Sequence, residues 1–306
     1  LSGLSMSRTF PEANSSCHFV NSFMQLIKSQ KYTFTFETFQ TMTLIQHKDE
    51  QIRFQQQVDN AREYVLPFIE KELKITADTA VLDIGCGDGG VLLPFLQRGC
   101  SCTGIELDRQ KAEFAEQFLA EFIGKGNVEI VNQNIYEEKA LERFAGKFDL
   151  IILKDVIEHI PDQERFIPYL KKFLKPGGYV YFGFPPWYMP HGGHQQVCKN
   201  KLLTVLPWFH LLPRPLYKGV LKLSGEYDEV IRELLEIKDT GISIERFERI
   251  AGKSGYTIPL KTFYLINPIY QYKFGVKPKK QFALISSIPY FRDFVTTCVY
   301  YLIQRD

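Results

Sequence analysis

Long hydrophobic runs are missing from this chain. No uninterrupted apolar stretch approaches the roughly 20 residues that a membrane-crossing helix needs. Residues 1–41 also lack the continuous apolar core of a signal peptide. A charge excess of one sign is missing too. The 37 Lys+Arg nearly balance the 35 Asp+Glu, for a formal net charge of +2, which implies no general attraction to nucleic acid or to an anionic membrane. The densest basic cluster, Lys277-Pro278-Lys279-Lys280, reads as a solvated loop. The 6 cysteines (17, 86, 100, 102, 198 and 298) show no paired metal-ligand spacing, since Cys100-x-Cys102 is one residue too tight for C-x-x-C. Reduced thiols in a cytoplasmic protein fit that usage. Internal repeats and low-complexity tracts are absent as well.

What is present is an ordinary globular composition, 45% hydrophobic and 24% charged over 306 residues. That length allows one large domain or two small ones and a sizeable core. The chain is organised around Val81-Leu82-Asp83-Ile84-Gly85-Cys86-Gly87-Asp88-Gly89-Gly90. An apolar run ends in an acid, glycines follow, and the apolar run Val91 to Leu96 comes next. This is the pattern of a buried strand, a turn too tight for side chains, and a helix. Glycine supplies the positive φ such a turn needs and lets a ligand lie on bare backbone. The helix N-terminus adds unpaired N–H donors. Gly85, Gly87 and Gly90 satisfy the dinucleotide fingerprint G-x-G-x-x-G, with Glu106 about where a ribose-binding acid should stand.

Along the rest of the chain, residues 1–41 are rich in Ser, Thr and Phe and show no sustained period. They read as a disordered or spurious extension, with Met42 as the native start. A helical pattern sets in near Ile45, with Val58, Ala61, Val65, Ile69 and Leu73 inward, and Pro67 is expected to kink or split it. Strands are expected at 81–84, Ser101 to Leu107, Asn127 to Ile135, Phe148 to Leu153 and Tyr179 to Phe184. Helices are expected over Asp108 to Phe122, with Gly124 as C-cap, and over Asp162 to Leu174, before the turn Lys175-Pro176-Gly177-Gly178. Residues 185–242 interrupt the alternation. Proline-rich, and holding both tryptophans and three of the 6 histidines, they read as a lid over the carboxyl edge of the sheet. Ser243 caps a helix through Ala251, and Thr257 to Ile266 and Phe294 to Ile303 read as an antiparallel final pair. The expected fold class is α/β, a Rossmann-like doubly wound sheet. It is mostly parallel with an antiparallel C-terminal strand and has helices on both faces.

Asp83 stands two residues before the first glycine, and Gly89 extends the run to D-x-G-x-G-x-G. This resembles motif I of the class I S-adenosylmethionine (AdoMet) methyltransferases. Phe148-Asp149-Leu150-Ile151-Ile152-Leu153-Lys154-Asp155 and Leu174-Lys175-Pro176-Gly177-Gly178 resemble the family's fourth strand and the turn before its fifth. The matches cover 81–184 in order, and the domain is taken as 42–306. The resemblance implies AdoMet as cofactor, with Gly85 and Gly87 under its methionine part and Asp83 near its amino group. Glu106, with Leu107 beside it, falls at the ribose, and Lys154 at the strand tip facing the sulfonium. Where the family has an acid reading the adenine amino group, this chain has Gln133-Asn134-Ile135. Asn134 would accept that bond without charge or simply cap a turn, and Ile135 would offer an apolar face.

Asp155-Val156-Ile157-Glu158-His159 places ligating side chains at i, i+3 and i+4, one face of a helical turn. It resembles the D/E-x-x-E-H element of metal-dependent O-methyltransferases of the ubiquinone pathway and of small-RNA 3′ ends, where a further histidine follows the fifth strand. His194 is the match here. Asp155, Glu158, His159 and His194 would then hold Mg²⁺, Mn²⁺, Fe²⁺ or Zn²⁺ beside the acceptor. Metal-free catalysis by Glu158, His159 and His194, or a structural role, remains open. The aromatic runs Leu206 to Pro213 and Tyr264 to Phe274 suggest a small or medium acceptor with a ring, chain or sugar face. Metal-free N- or C-methylation, a non-catalytic AdoMet-binding module and an NAD-dependent dehydrogenase stand as alternatives.

Overall fold

A computed structural model of the chain describes residues 49–305. The expectation for residues 1–41 lies outside them. Eight strands form one sheet: β1 (Ala80–Ile84), β2 (Ser101–Glu106), β3 (Val128–Asn132), β4 (Phe148–Lys154), β5 (Leu174–Phe184), β6 (Tyr256–Ile266), β7 (Lys279–Lys280) and β8 (Cys298–Arg305). Their spatial order is β3-β2-β1-β4-β5-β8-β6-β7. β1 to β5 pair in parallel, and β8 inserts antiparallel between β5 and β6. This is the mostly parallel doubly wound sheet read from the sequence, with its antiparallel C-terminal strand.

The sheet is apolar on both faces because its strands alternate between two cores. Leu82, Ile151, Leu153, Val180, Phe182, Val299 and Tyr301 pack with the helices Gln163–Tyr169 and Ile244–Lys253. Their neighbours Val81, Leu150, Ile152, Tyr181, Tyr300 and Leu302 pack on the other side with the helix that begins at Glu50. A strand buried on both faces reads as a continuous apolar run, which is why β4 and β5 were visible from sequence. Edge contacts among Phe68, Tyr181 and Tyr300, 5.3–5.9 Å between ring centres, tie that helix to the sheet. Such pairs add about 0.5–1.5 kcal/mol each beyond their buried area.

The helix runs on through Pro67 but changes its winding just before it. The chain is α-helical over Glu50–Asn60, π-helical over Ala61–Val65 and α-helical again over Leu66–Ile69. The Leu66 N–H reaches back five residues to Ala61 O, and this wider turn admits a proline that has no N–H to offer. The helix after β2 divides at Leu119 into Arg109–Phe118 and Ala120–Gly124. Gly126, at φ +74°, takes the left-handed position expected of Gly124. A helix over Glu138–Phe144 was not anticipated. The insertion carries its own small core of Cys198, Leu203, Phe209, Tyr217, Leu221, Ile231, Leu234 and Leu235. Among the described residues, no helix is long and apolar enough to cross a membrane.

Candidate active site

Strand order reverses between β1 and β4, and an open α/β sheet offers a crevice beyond its carboxyl ends at that point. The glycine turn sits there. Gly85, Gly87 and Gly89 all have positive φ, 55° to 82°, a region where a Cβ is costly. They differ in what a side chain would meet. A Cβ on Gly85 would come 2.7 Å from Val156 of the β4 loop, and one on Gly89 2.8 Å from Leu119. Gly87 faces open space, with only Gln57 Nε2 at 3.9 Å. At Gly85, Gly89 and Gly90 packing leaves no room for a side chain, Gly90 being pressed against Phe54 O and Gln57 Cβ at 2.7 Å. Gly87 leaves bare backbone turned toward the crevice.

Glu106 points into that bend. Its Oε2 accepts from Gly87 N at 2.8 Å, and its Oε1 accepts from Asp108 N at 2.9 Å. Asp83 is buried at the end of β1, and its Oδ2 has no partner among the described residues. Burial first, then the Glu106 charge, pushes its carboxyl well above the usual carboxylate range. An orphaned buried carboxyl beside another carboxylate suits a cationic ligand group, which would restore its charge. Leu107 is exposed at the tip of β2. Asn134 behaves differently from the adenine-contact reading. Its Oδ1 accepts from Tyr136 N at 2.9 Å, so it caps the turn after β3. Ile135 is buried in the core under β1 and β2 instead of lying open to a ring. Beside them Gln133 has a buried Nε2 with no partner among the described residues.

At the tip of β4, Asp155 has φ +57°, and the following turn, Ile157–His159, is a short 3₁₀ helix. The one-face argument for Asp155 required the helix to begin two residues earlier. Asp155 therefore does not join the other candidates, and its carboxylate pairs with Lys154. Burial alone would lower Lys154, but Asp155 and Glu158 outweigh it and the ammonium is held above its usual value. Glu158, His159 and His194 do converge, each offering a ligand atom within 4.8 Å of the others. The two rings meet edge to face at 5.0 Å. Both Glu158 oxygens are buried without partners among the described residues, and burial, then the Asp155 charge, raises this carboxyl well above its usual range. Desolvation lowers His159, and together with His159 it pushes His194 down to about 4. Both imidazoles are therefore neutral near pH 7, with lone pairs available for a proton or a cation.

Several supporting residues escaped the sequence reading. Arg53 grips the buried Asp88 carboxylate through two bonds, Nε–Oδ2 2.6 Å and Nη2–Oδ1 3.0 Å, fastening the glycine turn to the first helix. Thr240 Oγ1 donates to Glu158 O at 2.6 Å, and the Gln163 amide donates to Ile157 O at 2.9 Å and to Thr240 O at 2.5 Å. These bonds clasp the 3₁₀ turn between the core and the end of the insertion. Helix Tyr270–Phe274 brings Tyr270 and Lys273 close enough to feel the Asp155 charge. None of these pairings has a local sequence signal, because each joins residues at least 35 positions apart in the chain, apart from Gln163 with Ile157. Of the aromatic runs, Phe209 and Tyr264 turn into cores, whereas Trp208 and Tyr270 remain half-buried.

Residues 54–199 match a methyltransferase domain family. The chain is 34% identical over 103 residues to the ubiquinone biosynthesis O-methyltransferase of Erwinia tasmaniensis, covering 33% of this chain and 40% of that protein. It is 32% identical over 117 residues to the same-named protein of Chromobacterium violaceum, covering 38% of this chain and 48% of that one. The chain thus spans less than half the length of these relatives. Its fold is similar to a crystal structure of geranyl diphosphate C-methyltransferase from Streptomyces coelicolor A3(2), with a TM-score of 0.51 and 14% identity over 80% of this chain and 78% of that one. Motif order, sheet order and these likenesses agree over residues 54–199, which match the methyltransferase domain family.

Proposed function

We propose that this protein binds AdoMet in the crevice at Asp83–Gly90 and Glu106 and directs its methyl group to an oxygen of a small or medium acceptor. The observation that carries the reading is the approach of Glu158, His159 and His194 beyond the tip of β4, in a loop whose Val156 packs against Gly85 of the glycine turn. The kinship with ubiquinone biosynthesis O-methyltransferases supports oxygen as the accepting atom.

AdoMet, when bound, supplies an electrophilic methyl on a sulfonium; the chain's own residues do the placing. The Gly85–Gly87 backbone admits close approach, Glu106 offers acceptor oxygens to a diol, and Asp83 offers its unpartnered oxygen to an ammonium. Charge-assisted bonds of that kind are worth about 1.5–3 kcal/mol each. A neutral imidazole at His159 or His194 takes the acceptor hydroxyl proton as the oxygen gains its methyl.

The same three side chains fit a divalent cation: a buried carboxyl with two orphaned oxygens and two imidazoles held neutral. Such an ion would lower the pKa of an acceptor hydroxyl. In this proposal Glu158, His159 and His194 are its ligands and Asp155 is not.

The test is S-adenosylhomocysteine release from AdoMet across phenolic, sugar, lipid and nucleoside acceptors, with calorimetry of S-adenosylhomocysteine and NAD alongside. Absence of heat with S-adenosylhomocysteine, or heat with NAD alone, overturns the methyl-transfer reading. Full turnover after exhaustive EDTA dialysis, unchanged in Glu158→Gln, removes the metal while leaving imidazole catalysis to be judged on His159→Ala and His194→Ala.

A further inference from the structure

The basic cluster Lys277-Pro278-Lys279-Lys280 ends on the outermost strand of the sheet. Among the described residues β7 pairs only with β6, and Lys277, Lys279 and Lys280 are exposed. Lysines on an edge strand discourage pairing with a second sheet, which accounts for the charge but not for the apolar residues next in the chain. Phe282, Leu284, Ile288, Tyr290 and Phe291 are between 41% and 74% exposed. Single exposed apolar residues are ordinary; five large ones within ten positions are not.

The lobe that presents them is held in place. Two short helices, Ala283–Ser286 and Phe291–Phe294, are joined by Arg292, which donates to Ser286 O at 3.3 Å. The same buried guanidinium pairs with Glu245 and Glu248 at 3.0 Å, while Tyr290 N donates to Glu245 at 2.8 Å. No acidic residue occurs from Gly275 to Arg292; Asp293, which follows, is fully buried and accepts from Ile244 N, and Glu245 and Glu248 are paired with Arg292 and Lys261. Exposed lysines border exposed aromatic and aliphatic side chains, with Lys279 Nζ 5.0 Å from the Phe282 ring centre. That pairing of chemistries matches an interface with anionic headgroups above and acyl chains below.

We propose that residues 277–291 dock this protein on an anionic lipid surface, with the apolar side chains entering the interface and the lysines lying against the headgroups. The lobe is coupled to the insertion: Phe294 stacks on Tyr188 at 5.2 Å, in the loop after β5 that carries His194. The docking does not depend on methyl transfer and stands or falls separately.

The experiment is co-sedimentation of the full chain with vesicles of phosphatidylcholine containing about one-third phosphatidylglycerol, against phosphatidylcholine alone, at about 0.1 M salt. Binding to the anionic vesicles that weakens as salt rises is expected. Lys279→Ala and Lys280→Ala each lower the partition about 5-fold, and Leu284→Asp lowers it about 10-fold or more, all with unchanged melting temperature because these side chains are exposed. A chain that stays in the supernatant with both vesicles, or binding that these variants leave untouched, overturns the proposal. So does self-association abolished by Leu284→Asp without vesicle binding, which would assign the lobe to a second copy.

Discussion

Two glycines three residues apart should fail in opposite ways. At Gly90 a new Cβ would stand 2.7 Å from Phe54 O and from Gln57 Cβ. Neither backbone nor Cβ can swing aside, so Gly90→Ala must push the first helix outward, and overpacking of this kind costs about 1–3 kcal/mol. For a domain of this size that lowers the melting temperature by roughly 2–4 °C per kcal/mol. At Gly87 the new Cβ meets nothing closer than Gln57 Nε2 at 3.9 Å. The cost there is the left-handed backbone at φ +55°, about 1–2 kcal/mol for alanine, partly offset by about 0.4–1 kcal/mol from a stiffer unfolded chain. The balance, about 0–1.6 kcal/mol, leaves Gly87→Ala less destabilised than Gly90→Ala. Its methyl group, however, projects into the space where the ligand is proposed to lie. The S-adenosylhomocysteine affinity, measured by calorimetry, should fall at least about tenfold, or 1.4 kcal/mol. If Gly87→Ala binds within threefold of wild type, or Gly90→Ala keeps its stability and loses only binding, the assignment of the open face to the ligand is wrong.

The supporting residues give three further expected outcomes. Arg53→Met leaves the buried Asp88 carboxylate without its bidentate partner, and breaking such a pair typically costs about 3–5 kcal/mol; a loss below about 1 kcal/mol in urea unfolding would refute the lock. Thr240→Val removes the hydroxyl bonded to Glu158 O, for a stability loss of about 0.5–1.5 kcal/mol. Turnover should drop with little change in AdoMet KM, whereas equal changes in both would deny it a positioning role. Burial, followed by the hydrogen bond and charge of Glu245, pushes the buried Asp293 carboxyl up to about 8. An unfolded aspartate ionises near pH 4. Between about pH 4 and 8 the unfolded chain has therefore released a proton that the folded one retains, and this group's contribution to stability falls as pH rises. Urea midpoints at about pH 5 and pH 8 should show a smaller decline in Asp293→Asn than in wild type; equal declines would exclude this linkage.

Whatever depends on near neighbours in the chain was legible before folding. Apolar runs ending at Ile84, Leu153 and Phe184 specified buried strands, and their alternation with helical segments specified a parallel sheet covered on both faces. The glycines at 85, 87 and 89 announced a turn that only positive φ can make. Even the position of Glu106 opposite that turn was legible, because it lies one strand-length into the next repeat of the pattern. Spacing arguments failed where the assumed backbone did not form. Asp155 shares a face with Glu158 and His159 only in an unbroken helical turn, and its left-handed φ turns it toward Lys154 instead. The strand expected to run through Ile135 ends at Asn132, so Asn134 falls in the following turn, where its oxygen accepts from the Tyr136 N–H.

Which distant groups meet was settled by the packed fold. It brought His194 to His159, Arg53 to Asp88, Thr240 to Glu158, and an apolar lobe to the flank of the lysine edge. Local pattern encodes what a residue buries and which turn it tolerates. Contacts across dozens of residues are set by how the layers pack, a property of the whole chain and of no single window.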